Sequence, residues 1–203
     1  MDSTDTALGE LKRRRFYWPS ALLAFLCACG HFRALSPFQD PLSAEEHLKL
    51  GDSYDQQGLR KESIGQYRTA VRLDPSSEAG WMALGNGEFN EGNLAAAQKA
   101  YERVLKLAPS HAGANNNLAM VYLAGNERLS EAEERAKTAL RQGGPLRPYI
   151  LDTLANIYIR GKRYAEAREA LDTAQAGSPA GDPSFQERLR LTRRGMEEAL
   201  AKK

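Results

Sequence analysis

Cysteine is nearly absent from this chain of 203 residues: the two present, Cys27 and Cys29, both fall within the first thirty. From Gly30 onward there can be no disulfide, no cysteine-based metal site and no thiol nucleophile. Histidine is scarce as well. His31, His47 and His111 stand far apart, and none has a second His or a Cys at ligand spacing. No serine sits in a Gly-x-Ser-x-Gly turn. Gly85-Asn86-Gly87 opens like a dinucleotide loop, but Asn90 occupies the place of the third glycine and no strand precedes it. Acidic residues are scattered over helix faces as solvated charge. These absences predict no catalytic constellation, no metal or cofactor site and no small-molecule substrate. Excess charge is also lacking. The net charge is +2, and setting aside residues 1–28, with four bases and three acids, brings it to +1. A nearly neutral body lacks the dense basic face that nucleic-acid binding requires. Strand-like alternation is missing, so no β element is expected.

What is present is a spacing. With position 1 set at Glu78, the stretch WMALGNGEFNEGNLAAAQKAYERVLKLAP places Trp81 at 4, Leu84 and Gly85 at 7 and 8, Tyr101 at 24 and Pro109 at 32. A start 34 residues earlier, at Ala44, puts Leu50 and Gly51 on 7 and 8, Tyr54 on 11, Tyr67 on 24, Ala70 on 27 and Pro75 on 32. From Ala112, Leu118, Ala119 and Tyr122 fall on 7, 8 and 11; after one inserted residue near Arg128, Ala132, Ala136 and Ala139 take 20, 24 and 27. From Pro148 come Leu151, Leu154, Ala155, Tyr158, Ala167, Leu171, Ala174 and Pro179. Each unit holds two apolar stripes with helical periodicity. Small residues allow two helices to approach closely, and large ones fill the spaces around the contact. Gly58, Gly92, Gly125 and Gly161 stand where the first helix must end, because glycine accepts left-handed angles. Pro75, Pro109 and Pro179 close the second. Ser43 followed by Glu46 reads as a capping box.

Four units of this length and residue set resemble the tetratricopeptide repeat, a helix–turn–helix module. The resemblance implies an all-α, right-handed superhelical solenoid of four helix pairs over 44–179 (44–77, 78–111, 112–147 and 148–181). A C-terminal helix over 182–203 would cap it, with Asp182 as its N-cap and Phe185, Leu189, Thr192, Met196 and Leu200 as its inner stripe. A terminal repeat needs a polar outer face; a partner-docking helix is the other reading of this segment.

The first thirty residues are a different material. Lys12-Arg13-Arg14-Arg15 precede an uncharged run of 15 residues, Phe16–Gly30. That is short of the roughly 20 needed to span a bilayer but suits a secretory signal. Leu26-Cys27-Ala28-Cys29 resembles a bacterial lipobox. This implies a signal over 1–28, lipidation of Cys29 and a tether over 29–43, although an uncleaved anchor fits the same run. With Gly30 after the cysteine, the resemblance favours an exported lipoprotein facing the periplasm on the outer rather than the inner membrane.

In the repeat family, the first helix of each unit lines a concave groove through positions 2, 5, 9, 12 and 13. Transferred position by position, this selects Leu48, Asp52, Asp55 and Gln56; Met82, Asn86, Phe89 and Asn90; Asn116, Met120 and Leu123; and Tyr149, Asp152, Asn156, Ile159 and Arg160. Asparagine carries both donor and acceptor and can pair with an extended peptide backbone, and methionine gives adaptable apolar contact. The carboxylate-gripping grooves of the family use a base at position 5 and Asn at 9 of their first repeat; Leu48 and Asp52 exclude that ligand. The expected role is a non-catalytic scaffold that binds a protein or peptide, similar to the lipoproteins of type IV pilus secretin assembly. Recruitment of clients to a separate envelope enzyme is the alternative.

Overall fold

The computed structural model describes residues 40–126, 128–178 and 182–201, and the chain from Leu42 onward forms one compact unit. The signal, the lipobox with Cys29, most of the tether and Pro179 lie outside the described residues. Nine α-helices and no strand occur among those described. They are α1 (Ala44–Gln56), α2 (Arg60–Leu73), α3 (Glu78–Asn90), α4 (Leu94–Leu107), α5 (Ala112–Ala124), α6 (Leu129–Arg141), α7 (Arg147–Arg160), α8 (Tyr164–Ala176) and α9 (Pro183–Ala201), with a 3₁₀ turn at Gly144–Leu146 before α7. None is long and apolar enough to cross a membrane.

Helix ends follow local chemistry. The Ser43 hydroxyl accepts from the Glu46 N–H while the Glu46 carboxylate accepts from the Ser43 N–H, closing the capping box of α1. Asp74 and Ala108, each followed by proline, take extended angles that end α2 and α4. The turns between paired helices correct one expectation. Gly58 and Gly92 do adopt positive φ, but Gly125 and Gly161 are right-handed, and Asn126 and Lys162 take the left-handed place after them. The structural requirement falls on position 15, which glycine fills in only two of the four units; asparagine tolerates it more readily than lysine. The residue inserted in the third unit is absorbed in the same turn, where Arg128 is left-handed too.

The helices pair as α1–α2, α3–α4, α5–α6 and α7–α8, and each second helix packs on the next first helix. The small-against-large pattern is explicit. A Cβ on Gly51 would lie 2.5 Å from the Tyr67 ring, and one on Gly85 would lie 2.5 Å from Tyr101. Only glycine admits those rings. In the third and fourth units position 8 is Ala119 and Ala155, and position 24 is Ala136 and Leu171, all buried. One large core runs from Tyr101 and Leu118 through Leu154 and Leu171 to Phe185, Leu189 and Met196 of α9. A smaller one joins Ile64, Tyr67, Val71, Leu84 and Ala100. The second unit departs at position 11, where Tyr54, Tyr122 and Tyr158 stand elsewhere. Glu88 is 2% exposed there, accepting from Arg68 and, at 2.9 Å, from Asn93. Its two partners supply the hydrogen bonds that a buried carboxylate requires.

Candidate functional site

Successive first helices place their exposed sides on a common face. Between α3, α5, α7 and α9 that face opens into a cleft of about 740 Å³. Met82 and Phe89 of α3 and Met120 and Leu123 of α5 form its apolar wall, and Asn116, Asn156 and Arg160 bring polar groups to it. A second hollow of about 300 Å³ shares Phe89, Asn117 and Met120 with the first and adds Asp55, Asn86 and Asn90. Twelve of the sixteen groove positions selected from the sequence line one of these two hollows.

Leu48, Asp52, Gln56 and Ile159 do not: Gln56 is exposed, and Ile159 packs on the large core. Leu48 packs on the small core of Ile64, Tyr67 and Val71, and Asp52 accepts a 2.8 Å hydrogen bond from the Tyr67 hydroxyl. Ring and acid form a polar latch across the α1–α2 pair. Burial pushes the pKa of the Tyr67 and Tyr101 hydroxyls up to about 12, because a phenolate would lose its hydration there. Two further selected residues line the cleft but are committed to holding α9. Tyr149 donates to Asp182 at 2.7 Å and lies 4.4 Å, ring to ring, from Phe185. Asp152 is 5% exposed; its carboxylate accepts from Arg188 at 3.0 Å and from Thr192 at 3.1 Å. Burial raises the Asp152 pKa, and the nearby Arg188 cation opposes that rise. Asp182 caps α9 as expected, accepting from the Phe185 N–H and the Ser184 hydroxyl. The bonds from Ser184, Tyr149 and Phe185 hold the pKa of its carboxyl down at about 2.

The asparagines form a directed chain. Asn86 Oδ1 accepts from both the Tyr101 hydroxyl and Asn117 Nδ2, each at 2.9 Å. That fixes the Asn117 amide so that its oxygen faces Asn116 Nδ2, at 3.4 Å. The Asn116 amide nitrogen is therefore held toward its neighbour, and its Oδ1 is buried with no hydrogen-bond partner among the described residues.

The sequence reading missed Asn117, His111, Arg188 and Thr192 as lining residues. His111 caps α5, accepting from the Ala114 N–H at 3.1 Å, and its ring edge faces the cleft. Arg188 and Thr192 come from the capping helix, for which only an inner stripe was expected. Thr192 was the available signal, a polar residue on an otherwise apolar stripe. His47 is buried against Gln66, with Nδ1 2.7 Å from Oε1, in a packing role. Among the described residues no cluster of His, Cys, Asp or Glu could hold a metal.

Models of the tetratricopeptide repeat match residues 47–77, 82–127 and 123–182, which together exceed half of the sequence. The chain belongs to the tetratricopeptide repeat family. Its helix pairs form the right-handed superhelical solenoid of that family, and solved relatives share it. MamA is 25% identical, with a TM-score of 0.61 over 68% of this chain and 80% of that one. PilF of Pseudomonas aeruginosa is 22% identical, with a TM-score of 0.63 over 78% of this chain and 75% of that one. A thermophilic tetratricopeptide repeat protein of Thermus thermophilus is 22% identical, with the same TM-score of 0.63 over 75% of this chain and 82% of that one. Human protein O-mannosyl-transferase TMTC1 is 30% identical over 104 residues, or 51% of this chain. The chain spans 12% of the length of that protein, a match confined to a small part of it. A tetratricopeptide repeat solenoid is in general a scaffold for protein–protein interaction.

Proposed function

We propose that this protein is a non-catalytic adaptor tethered to a bacterial envelope membrane through lipidated Cys29. Its cleft holds a segment of an envelope protein during assembly of a complex of the pilus-secretin kind. The observation that carries the binding part is the continuity of the two hollows. An apolar wall of Met82, Phe89, Met120 and Leu123 runs beside the amides of Asn86, Asn90 and Asn156. A polypeptide suits both at once: side chains for the wall and backbone N–H and C=O groups for the amides. The tether reading rests on the basic segment, the short apolar run and Leu26-Cys27-Ala28-Cys29. Acyl chains contribute about 0.8 kcal/mol per buried CH₂, so several on one cysteine hold a protein at a membrane without a spanning helix.

Two experiments test the two parts separately. Asn86→Ala combined with Asn116→Ala should weaken binding of the envelope partner and leave helicity by circular dichroism unchanged; undiminished binding would remove the groove assignment. Cys29→Ser should abolish palmitate labelling, and mass spectrometry of the mature N-terminus should find acylated cysteine. Labelling that persists in the variant would remove the lipid anchor.

A further inference from the structure

The groove is electrically polarised along its length. At the α1 end Asp55 is exposed, lines the smaller hollow, and makes no ion pair among the described residues; no cation lines that hollow. At the other end Arg160 and Arg188 line the larger cleft, where the one acid, Asp152, is buried and already engaged by Arg188, Thr192 and Asn156. Both arginines are held in place with donors to spare. Arg160 gives one N–H to Asn126 at 2.6 Å. Arg188 gives its Nε–H to Asp152 while its guanidinium lies over the Phe185 and Tyr149 rings, 4.9 and 5.4 Å from their centroids. An arginine fixed by stacking and by one ion pair presents its remaining N–H edge with little loss of side-chain freedom, which suits a carboxylate.

Resting on the adaptor reading above, we infer that the groove selects a bipolar segment. Such a segment has apolar side chains at its centre, on the Met120 wall, a basic residue toward Asp55 and an acidic residue toward Arg160 and Arg188. The polarity fixes the direction in which the segment lies, since a reversed segment would set like charges against each other at both ends.

The test is a selection of displayed random peptides, each about a dozen residues long, on the full-length protein in detergent micelles, run in parallel on Met120→Glu. The enriched peptides should carry an apolar centre flanked by opposite charges in one constant order, and Met120→Glu should not retain them. A synthetic peptide of the consensus sequence should lose roughly fivefold in affinity when its acidic residue becomes Lys, the upper range for an exposed ion pair. Arg160→Glu should reverse that preference, and Asp55→Lys should reverse the preference at the other end. Peptides that depend on Met120 but show no charge order, or that ignore both reversals, would overturn the polarity and leave the adaptor reading standing. Failure to enrich any Met120-dependent peptide would overturn both.

Discussion

The first two repeats and the last two solve the same packing problem in opposite ways. In α1–α4 the close-approach position is glycine and the facing residue is tyrosine, with the ring lying against bare backbone and its hydroxyl bonded to position 9, Asp52 or Asn86. In α5–α8 the close-approach position is alanine and the facing residue is Ala136 or Leu171, and nothing polar crosses the pair there. The volume is shared differently, and so is the polarity. The N-terminal half buries tyrosines that organise groove side chains from behind. The C-terminal half is apolar at that contact, and its groove is organised from the end by α9. The repeats thus share a backbone plan while each half positions its groove-lining side chains by a different device.

Exchanging the two solutions should give the largest effect. Gly85→Ala forces a methyl against Tyr101 and should destabilise the fold by about 2–3 kcal/mol, within the range for overpacking. Tyr101→Leu alone should cost about 2 kcal/mol through lost volume and the lost hydrogen bond to Asn86, whose oxygen keeps Asn117 as its donor. The double variant recreates the Ala155–Leu171 pairing of the fourth repeat. It should be more stable than the sum of the single losses by at least ~1 kcal/mol, measured by urea unfolding of all four proteins. Strict additivity would show that the two positions do not share one space.

The two halves also differ in how plainly the sequence announced them. Helix positions followed from the 34-residue spacing, because the Leu-Gly or Leu-Ala pair and the closing proline carry steric requirements that few other residues meet. Position 15 was harder to read: Gly58 and Gly92 suggested that glycine marks the turn, yet Asn126 and Lys162 meet the same left-handed requirement. The groove was legible where the side chain packs partly on the core and keeps a face in the cleft, as at Met82, Phe89 and Leu123. It was illegible where a partner far along the chain claims the residue, as Tyr67 claims Asp52 and Arg188 claims Asp152. Spacing within one repeat carries no record of a contact with another helix. Glu88 shows the same limit, since its burial depends on Arg68 in the preceding repeat.

A second prediction concerns the C-terminal device. Arg188→Ala leaves the buried Asp152 carboxylate with Thr192 and Asn156 alone and should cost about 1–2 kcal/mol. The loss should be local, appearing as faster amide hydrogen exchange in α9 with α1–α4 unchanged. Asp152→Asn in the same background should recover part of it. Exchange that rises evenly along the chain would contradict the idea that α9 is held by this contact.

The smallest effect separates the halves by pH. The Tyr67 and Tyr101 hydroxyls titrate near 12 in the fold against 10 for an ordinary tyrosine, chiefly because they are buried. The stability they contribute is complete below about pH 10 and is lost as pH rises toward about 12. The Tyr149 and Tyr158 hydroxyls of α7 are raised too, but by less, so exchange protection in α1–α4 should fall more than that in α5–α8 over this window, and Tyr101→Phe should reduce the difference. Equal loss would show that the buried tyrosines do not set the alkaline limit.

The central claim is that the cleft between α3, α5, α7 and α9 grips a polypeptide. It is tested most directly by placing a photo-crosslinking amino acid at Met120 in the full-length protein in its own cells. Lys106, exposed on α4 and outside the cleft, serves as the control position. The account predicts one discrete protein adduct from Met120, lost when Phe89→Glu is added, and none from Lys106. Equal adducts from both positions, or an adduct at Met120 indifferent to Phe89→Glu, would contradict it.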